Sequence, residues 1–247
     1  MLKKSVSLIW SVVNFLLCGW RKHGAVCFTF DDFGGDNWVK ADEIFKKYDA
    51  HATFLVSGNL TDKHIEVMAK LQQAGHTVGL HSVGHANAVS QTQEFTPETY
   101  FQQQIKPQLD ICGANNIKVA AFAYPNNLHN EEFDKYLFQY FDFLRAGVGS
   151  DKKPVFVPVK QLKRKIVLQG KGIGKFYNSD LNELKKLLDH AADTNSMIAF
   201  FSHDIFPDAP RIHMPNEWLE ELLKHASERK MRIIGADEIK GCVIKDD

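Results

Sequence analysis

The chain has 247 residues, 44% of them hydrophobic and 24% charged, a balance that suits a globular protein and excludes a disordered or fibrous chain. Lysine plus arginine and aspartate plus glutamate both total 30, so the net charge is zero. There is no basic excess to mark a nucleic-acid partner, and a neutral carbohydrate would ask for none.

The apolar stretch Ser5 to Trp20 lies between Lys3-Lys4 and Arg21-Lys22. It is short for a spanning helix, which needs about 20 apolar residues. Ser7, Ser11, Asn14 and Cys18 recur at helical spacing as one weakly polar stripe, with Leu8, Ile9, Val12, Val13, Phe15 and Leu16 on the remaining face. Residues 1–23 are therefore read as an apolar helix, docked on the domain or lying at a membrane surface, with an anchor or signal peptide as the other readings. The four cysteines, Cys18, Cys27, Cys112 and Cys242, form no CxxC pair and read as unpaired thiols of a reducing compartment. A cytoplasmic or membrane-associated protein is expected ahead of a secreted one.

From Gly24 onward, strand-like and helix-like segments alternate. Ala25 to Phe30 is a buried strand ending in Asp31-Asp32. Asn37 can cap a helix through Tyr48, Ala52 to Val56 is a second strand, and Thr61 can cap a helix closed by Gly75. Thr77 to Leu80 is a third strand, followed at once by His81. Thr96-Pro97 opens a long helix that Pro107 can kink. Val119 to Ala123 is a fourth strand, with a turn signal at Tyr124-Pro125-Asn126-Asn127. Glu131 to Tyr140 reads as helix and Phe143 to Val148 as strand. Lys152 to Gly174 is basic, contains glycine and has no clear period. Asp180 to Ala192 is helical, Met197 to Phe201 is a strand running into Ser202-His203-Asp204, Pro215 to Lys230 is helical, and Arg232 to Gly235 is a last short strand. This alternation predicts a parallel sheet, best closed as a single-domain, distorted (β/α) barrel of about seven strands, with a doubly wound sheet as runner-up.

The chemically distinctive residues fall at strand ends: Asp31 and Asp32 after the first strand, His81 and His85 after the third, Pro125 and Asn126 after the fourth, and His203 after a late one. In a barrel such ends meet on one rim. Two histidines four apart, read as lying on one side of a helical turn, together with one carboxylate make an open site for a divalent ion. These donors suit zinc first, and also cobalt, nickel or manganese.

Thr29-Phe30-Asp31-Asp32 resembles the first motif of the polysaccharide deacetylase family, also called the NodB-homology domain or carbohydrate esterase family 4. Gly75-His76 leading into His81-Ser82-Val83-Gly84-His85 is similar to the second motif, Phe122-Ala123-Tyr124-Pro125 to the third, and Phe201-Ser202-His203 to the last. The resemblance runs from about Gly24 to Gly235 and makes residues 24–247 a catalytic domain. It implies Asp32, His81 and His85 as metal ligands, Asp31 as general base, the backbone N–H of Asn126 as oxyanion donor, and His203 as general acid. The implied activity is removal of an N-acetyl group from an amino sugar in a glycan, glycolipid or nucleotide-linked precursor. A deformylase or cyclic-amide hydrolase, and a degenerate carbohydrate-binding domain, are the alternatives.

The third motif departs from the family pattern: Ala123 stands where many members carry an arginine that orients the base aspartate, and Asn126 stands where they carry tyrosine. The fourth motif, acidic and tryptophan-bearing, has no clear match. Arg145 can replace the missing arginine from a neighbouring strand, although a strand-borne arginine more commonly pairs with a surface carboxylate. His51, His64, His76 and His213 read as surface residues or as supports one layer behind the site. Phe133, Phe138, Phe141 and Phe143 read as core. Trp38 is a candidate sugar platform, and Trp218 reads as packed.

Overall fold

The computed structural model describes residues 23–89, 95–148, 153–206 and 212–242; the apolar N-terminal stretch and Cys18 lie outside them. The elements are β1 (Ala25–Asp32), α1 (Asp36–Lys46), β2 (Thr53–Val56), α2 (Asp62–Gln73), β3 (Thr77–Leu80), α3 (Pro97–Tyr100), α4 (Lys106–Ala114), β4 (Ala121–Ala123), α5 (Glu131–Leu137), β5 (Phe143–Val148), β6 (Val157–Pro158), β7 (Ile166–Gly172), α6 (Leu181–Asp193), β8 (Ser196–Ser202), α7 (Asn216–Glu228) and β9 (Arg232–Ile233).

Parallel pairing runs β1-β2-β3-β4-β5-β7-β8 and returns from β8 to β1, which closes a seven-stranded barrel. The closing pair is well knit, with Ala25 to Phe30 of β1 in register with Met197 to Ser202 of β8. The distortion lies between β7 and β8, which pair only at Lys171–Phe200 and Gly172–Phe201. Below that point β6 runs antiparallel against Met197 and Ser196 of β8. The last short strand, β9, is not a stave of the barrel; it adds alongside β1.

The basic segment that resists reading in the sequence holds both β6 and β7. Gln169, Gly170, Lys171 and Gly172 obscure the strand there, because β7 alternates between a narrow interior and a polar exterior without a long apolar run.

Alternation along the strands sorts the core. Ala25 and Cys27 of β1, Ala121 and Ala123 of β4, Phe143 of β5, Leu168 of β7 and Met197 and Ala199 of β8 fill the barrel interior. Val26, Phe28 and Phe30, with Leu144, Ile198 and Phe200, face the helices. The interior is tight: a Cβ on Gly79 of β3 would stand 2.5 Å from the Ala121 carbonyl oxygen. Ile234, Ala236, Ile239 and Cys242 plug the end where the strands begin. Cys27, Cys112 and Cys242 are buried free thiols.

The kink expected at Pro107 is a π-helical turn at Phe101–Ile105, between α3 and α4. Proline lacks an N–H and its ring collides with the carbonyl of the preceding turn, so the chain widens there. Asn37 does not cap α1. The helix begins at Asp36, and the Asn37 amide instead donates to Asp204 Oδ2 at 3.3 Å.

His76 is neither on the surface nor beside the site. It precedes β3 at the opposite end of the barrel and is 3% exposed. Its Nδ1 accepts the Ala52 N–H at 3.1 Å, so its proton sits on Nε2, 3.3 Å from Asp42 Oδ1. Burial pushes its pKa down to about 4, against the opposing pull of Asp42. A histidine held neutral in the fold stabilises fully above its unfolded pKa, and this is lost as pH falls through the folded value. Between about pH 6.5 and 4 the loss is on the order of 3 kcal/mol. Urea unfolding across this window should therefore show a shallower decline for His76→Asn than for the native chain; parallel declines would contradict the assignment.

Candidate active site

The strand alternation that packs the barrel also builds its mouth. Asp31 continues the inward row of Ala25 and Cys27, Arg145 continues that of Phe143, and His203 that of Met197 and Ala199. Asp32, at the last position of β1, has φ 72°, a left-handed conformation that turns the chain into the loop beyond β1. The loops beyond β1, β2 and β3 are sewn together: Ser57 N–H donates to the Asp32 carbonyl at 2.8 Å, His81 N–H to the Val56 carbonyl at 2.8 Å and Gly58 N–H to the Ser82 carbonyl at 3.0 Å.

The segment from His81 to His85 is not a helical turn. Ser82 and His85 have φ of 68° and 49°, and Gln104 fastens the loop through its carbonyl to Val83 N–H and its side-chain oxygen to Gly84 N–H, each at 2.9 Å. This loop still sets the two imidazoles face to edge, with centroids 4.9 Å apart.

Asp32, His81 and His85 each offer one ligand atom, and all three atoms lie within 4.8 Å of one another. Both histidine Nε2 atoms are 3.9 Å from Asp32 Oδ1. That is too long for hydrogen bonds, and it is the spacing of donors around a common centre, since ligands each about 2.1 Å from one ion sit roughly 3–4 Å apart. His81 Nδ1 bonds the Ala123 carbonyl oxygen at 2.9 Å, which assigns the proton to Nδ1 and leaves the Nε2 lone pair free. Burial, outweighing the attraction of Asp31 and aided by Arg145, pushes the His81 pKa down to about 4, so the ring is neutral. A carboxylate with two imidazoles, one fixed in its ligating tautomer by a backbone carbonyl, fits a divalent ion.

Asp31 and His203 both lie near this cluster, Asp31 within electrostatic reach of His81 and of His203 itself. Asp31 is 3% exposed. Its Oδ2 accepts a hydrogen bond from Arg145 Nη2, while its Oδ1 has no hydrogen-bond partner. Burial raises its pKa, but the charge and hydrogen bond of Arg145, with the electrostatic influence of the nearby imidazoles, more than offset this, so it stays below the usual carboxylate range. Arg145 is therefore not a surface partner. It crosses the barrel from β5 to Asp31, with Asn127 on its Nη1 and the Phe201 ring 4.7 Å from its Cζ. A Cβ at Gly147 would collide with the Asn127 amide at 2.5 Å, so glycine there lets Asn127 reach the guanidinium.

His203 Nε2 is 3.9 Å from Asp32 Oδ2. Its carbonyl accepts the Trp38 Nε1–H at 2.9 Å. Trp38 is fully buried and is not a sugar platform. Asn126 sits in the turn after β4 with φ 53°, and its amide donates to Asn87 Oδ1 at 2.6 Å. Of the remaining histidines, His64 stacks on Phe33 at 3.9 Å and His51 pairs with Glu238 at 3.0 Å. Phe133, Phe141 and Phe143 are buried in the core, and Phe138 and Trp218 pack against it.

The polysaccharide deacetylase family model matches residues 20–140, a stretch that contains Asp31, Asp32, His81, His85 and Asn126 and ends before β5. No curated protein matches the chain. Solved structures share its fold. The peptidoglycan deacetylase PdaC from Bacillus subtilis superposes with a TM-score of 0.59 at 16% identity, over 89% of this chain and 91% of that one. A CE4 family pseudoenzyme from Bacillus anthracis gives 0.59 at 17%, over 89% and 66%. A family 4 acetyl xylan esterase from Clostridium thermocellum, in complex with a cobalt ion, gives 0.53 at 19%, over 88% and 90%.

The fold is thus the seven-stranded parallel barrel of the family 4 carbohydrate esterases. Over residues 20–140 the chain matches the polysaccharide deacetylase family, and its structural neighbours include deacetylases and esterases of carbohydrate esterase family 4.

Arg145→Met strands the Asp31 carboxylate in the barrel and should cost about 3–5 kcal/mol in denaturant unfolding. Adding Asp31→Asn should restore most of that loss. A single variant as stable as the native chain would show that the pair does not carry this weight.

Proposed function

We propose that this chain is a metal-dependent hydrolase that removes an N-acetyl group from an amino sugar in a glycan, glycolipid or nucleotide-linked precursor. The observation that carries the reading is that Asp32, His81 and His85 converge with two unlike groups suited to proton transfer, Asp31 and His203, close by. Asp32, His81 and His85 would hold the ion, with zinc favoured by the two imidazoles. Bound there, a divalent cation supplies a lowered water pKa and a polarised acyl carbonyl.

The chain's own residues do the rest. Asp31 accepts the proton of the attacking water at Oδ1, the oxygen that Arg145 leaves free. Arg145 keeps Asp31 ionised between turnovers, so the base is ready before substrate enters. The Asn126 backbone N–H supports the negative oxygen that develops on the acyl carbon. His203 delivers a proton from Nε2 to the departing nitrogen, which an amide needs because an amine anion is a very poor leaving group.

A cavity of about 280 Å³ beside the site is lined by Asn127, Val148, Phe176, Tyr177 and Phe201. Phe176 is 64% exposed there and offers a ring face to a sugar. The retained base and acid argue against a purely binding domain, although one structural neighbour is described as a pseudoenzyme.

Acetate release from N-acetylglucosamine oligomers, measured beside metal content, tests the reading. Asp31→Asn should lower turnover by about 10² to 10⁴-fold with the ion retained, whereas His81→Ala should lose both ion and activity. Near-native turnover in Asp31→Asn would show that the base is misassigned.

A further inference from the structure

We propose that Tyr177 is the positioning residue for His203, holding its ring so that Nε2 faces the leaving nitrogen. This rests on the deacetylase reading and adds a residue to it. Tyr177 stands in a short 3-10 turn, Lys175–Tyr177, directly beyond β7. Its hydroxyl is 3.4 Å from His203 Nδ1, and the two rings lie nearly parallel, 14° apart with centroids at 6.2 Å. Phe201 meets the Tyr177 ring edge-on at 5.1 Å, and the Trp38 indole fixes the His203 carbonyl at 2.9 Å. The histidine is therefore held through its backbone on one side and through its ring on the other.

The seat of Tyr177 is built for it. A Cβ on Gly172 would stand 2.6 Å from the tyrosine ring, so only glycine at that point of β7 admits the ring. The turn is closed by Gly174 at φ 117° and Asn178 at φ 50°, and Ser179 Oγ donates to the Gly172 carbonyl at 3.2 Å.

The proton bookkeeping follows from where the hydroxyl sits. As imidazolium, His203 carries protons on both nitrogens. When the carbon–nitrogen bond of the acyl group breaks, the Nε2 proton passes to the amine, and the neutral ring keeps its proton on Nδ1. The Tyr177 oxygen accepts that Nδ1–H before and after the transfer, so the tautomer that can be recharged at Nε2 is the one retained. A phenol does this without adding a third anion beside Asp31 and Asp32. Burial and the nearby aspartates keep Tyr177 protonated.

The test compares two leaving groups in the zinc-loaded protein. N-acetylglucosamine oligomers release an amine and need the acid; 4-nitrophenyl acetate releases a stable phenolate and does not. His203→Ala sets the scale by losing the first reaction and keeping most of the second. Tyr177→Phe should lower kcat on the oligomers by about tenfold or more with KM unchanged, and leave aryl acetate hydrolysis within about twofold. Equal losses on both substrates, or undiminished oligomer turnover, would overturn the proposal. A native protein that cleaves the aryl ester but no N-acetyl sugar would sink the deacetylase reading instead. The contact would then still be judged by nitrogen-15 NMR of the imidazoles, where Tyr177→Phe should shift the Nδ1 resonance of His203; an unchanged resonance would overturn it.

Discussion

A buried ion pair across a barrel sets the terms for the rest of this molecule. Asp31 and Arg145 approach from β1 and β5, each almost wholly out of solvent. Two such charges are tolerable only together, because either alone would carry several kcal/mol of uncompensated desolvation. The pair constrains its surroundings. Small residues leave room for it in the interior, where Ala25, Cys27, Gly79, Ala121, Ala123 and Ala199 stand among the larger Phe143, Leu168 and Met197. The strands must also keep the alternation that brings Asp31 and Arg145 inward at the same level. The guanidinium is then completed by an amide from Asn127 and an aromatic face from Phe201, so two further strand ends, those of β4 and β8, contribute to placing one carboxylate.

The mouth of the barrel has two halves with different construction. Around β1 to β3, backbone hydrogen bonds join consecutive loops and set Asp32, His81 and His85 close together. Around β5 to β8 the setting is made by side chains: Arg145 on Asp31, Tyr177 against His203, and Trp38 from α1 on the His203 carbonyl. The family model covers the first half and stops before the second. Ala123, which stands where the resembled motif carries arginine, belongs to this contrast. Its strand still serves the cluster, but through a carbonyl on His81, while the guanidinium comes from the neighbouring strand.

Much of this was legible from residue order. The run of strands and helices announced a parallel barrel, and Asp31, Asp32, His81, His85 and His203 could be placed on one rim because each follows a strand. What escaped were facts about facing and about unpatterned sequence. Arg145 needed the parity of β5, and Phe143-Leu144-Arg145-Ala146 is apolar on both faces, so alternation did not reveal which side pointed in. Tyr177 was hidden because β7 carries glutamine, lysine and two glycines in place of an apolar run, and the turn after it could not be assigned to the rim. The spacing of His81 and His85 suggested a helical turn; positive φ at Ser82 and His85 achieves the same convergence by a loop, which spacing alone cannot distinguish. Trp38 looked available to a ligand only because the closeness of α1 to the His203 loop is a tertiary fact.

The proposed chemistry depends on one cation being gathered by Asp32, His81 and His85. A crystal grown with zinc and recorded on both sides of the zinc absorption edge would locate the ion directly. The arrangement described here predicts a single strong anomalous peak bonded to one Asp32 oxygen and to Nε2 of both histidines. No peak at that point, or a peak held by other side chains, would contradict it.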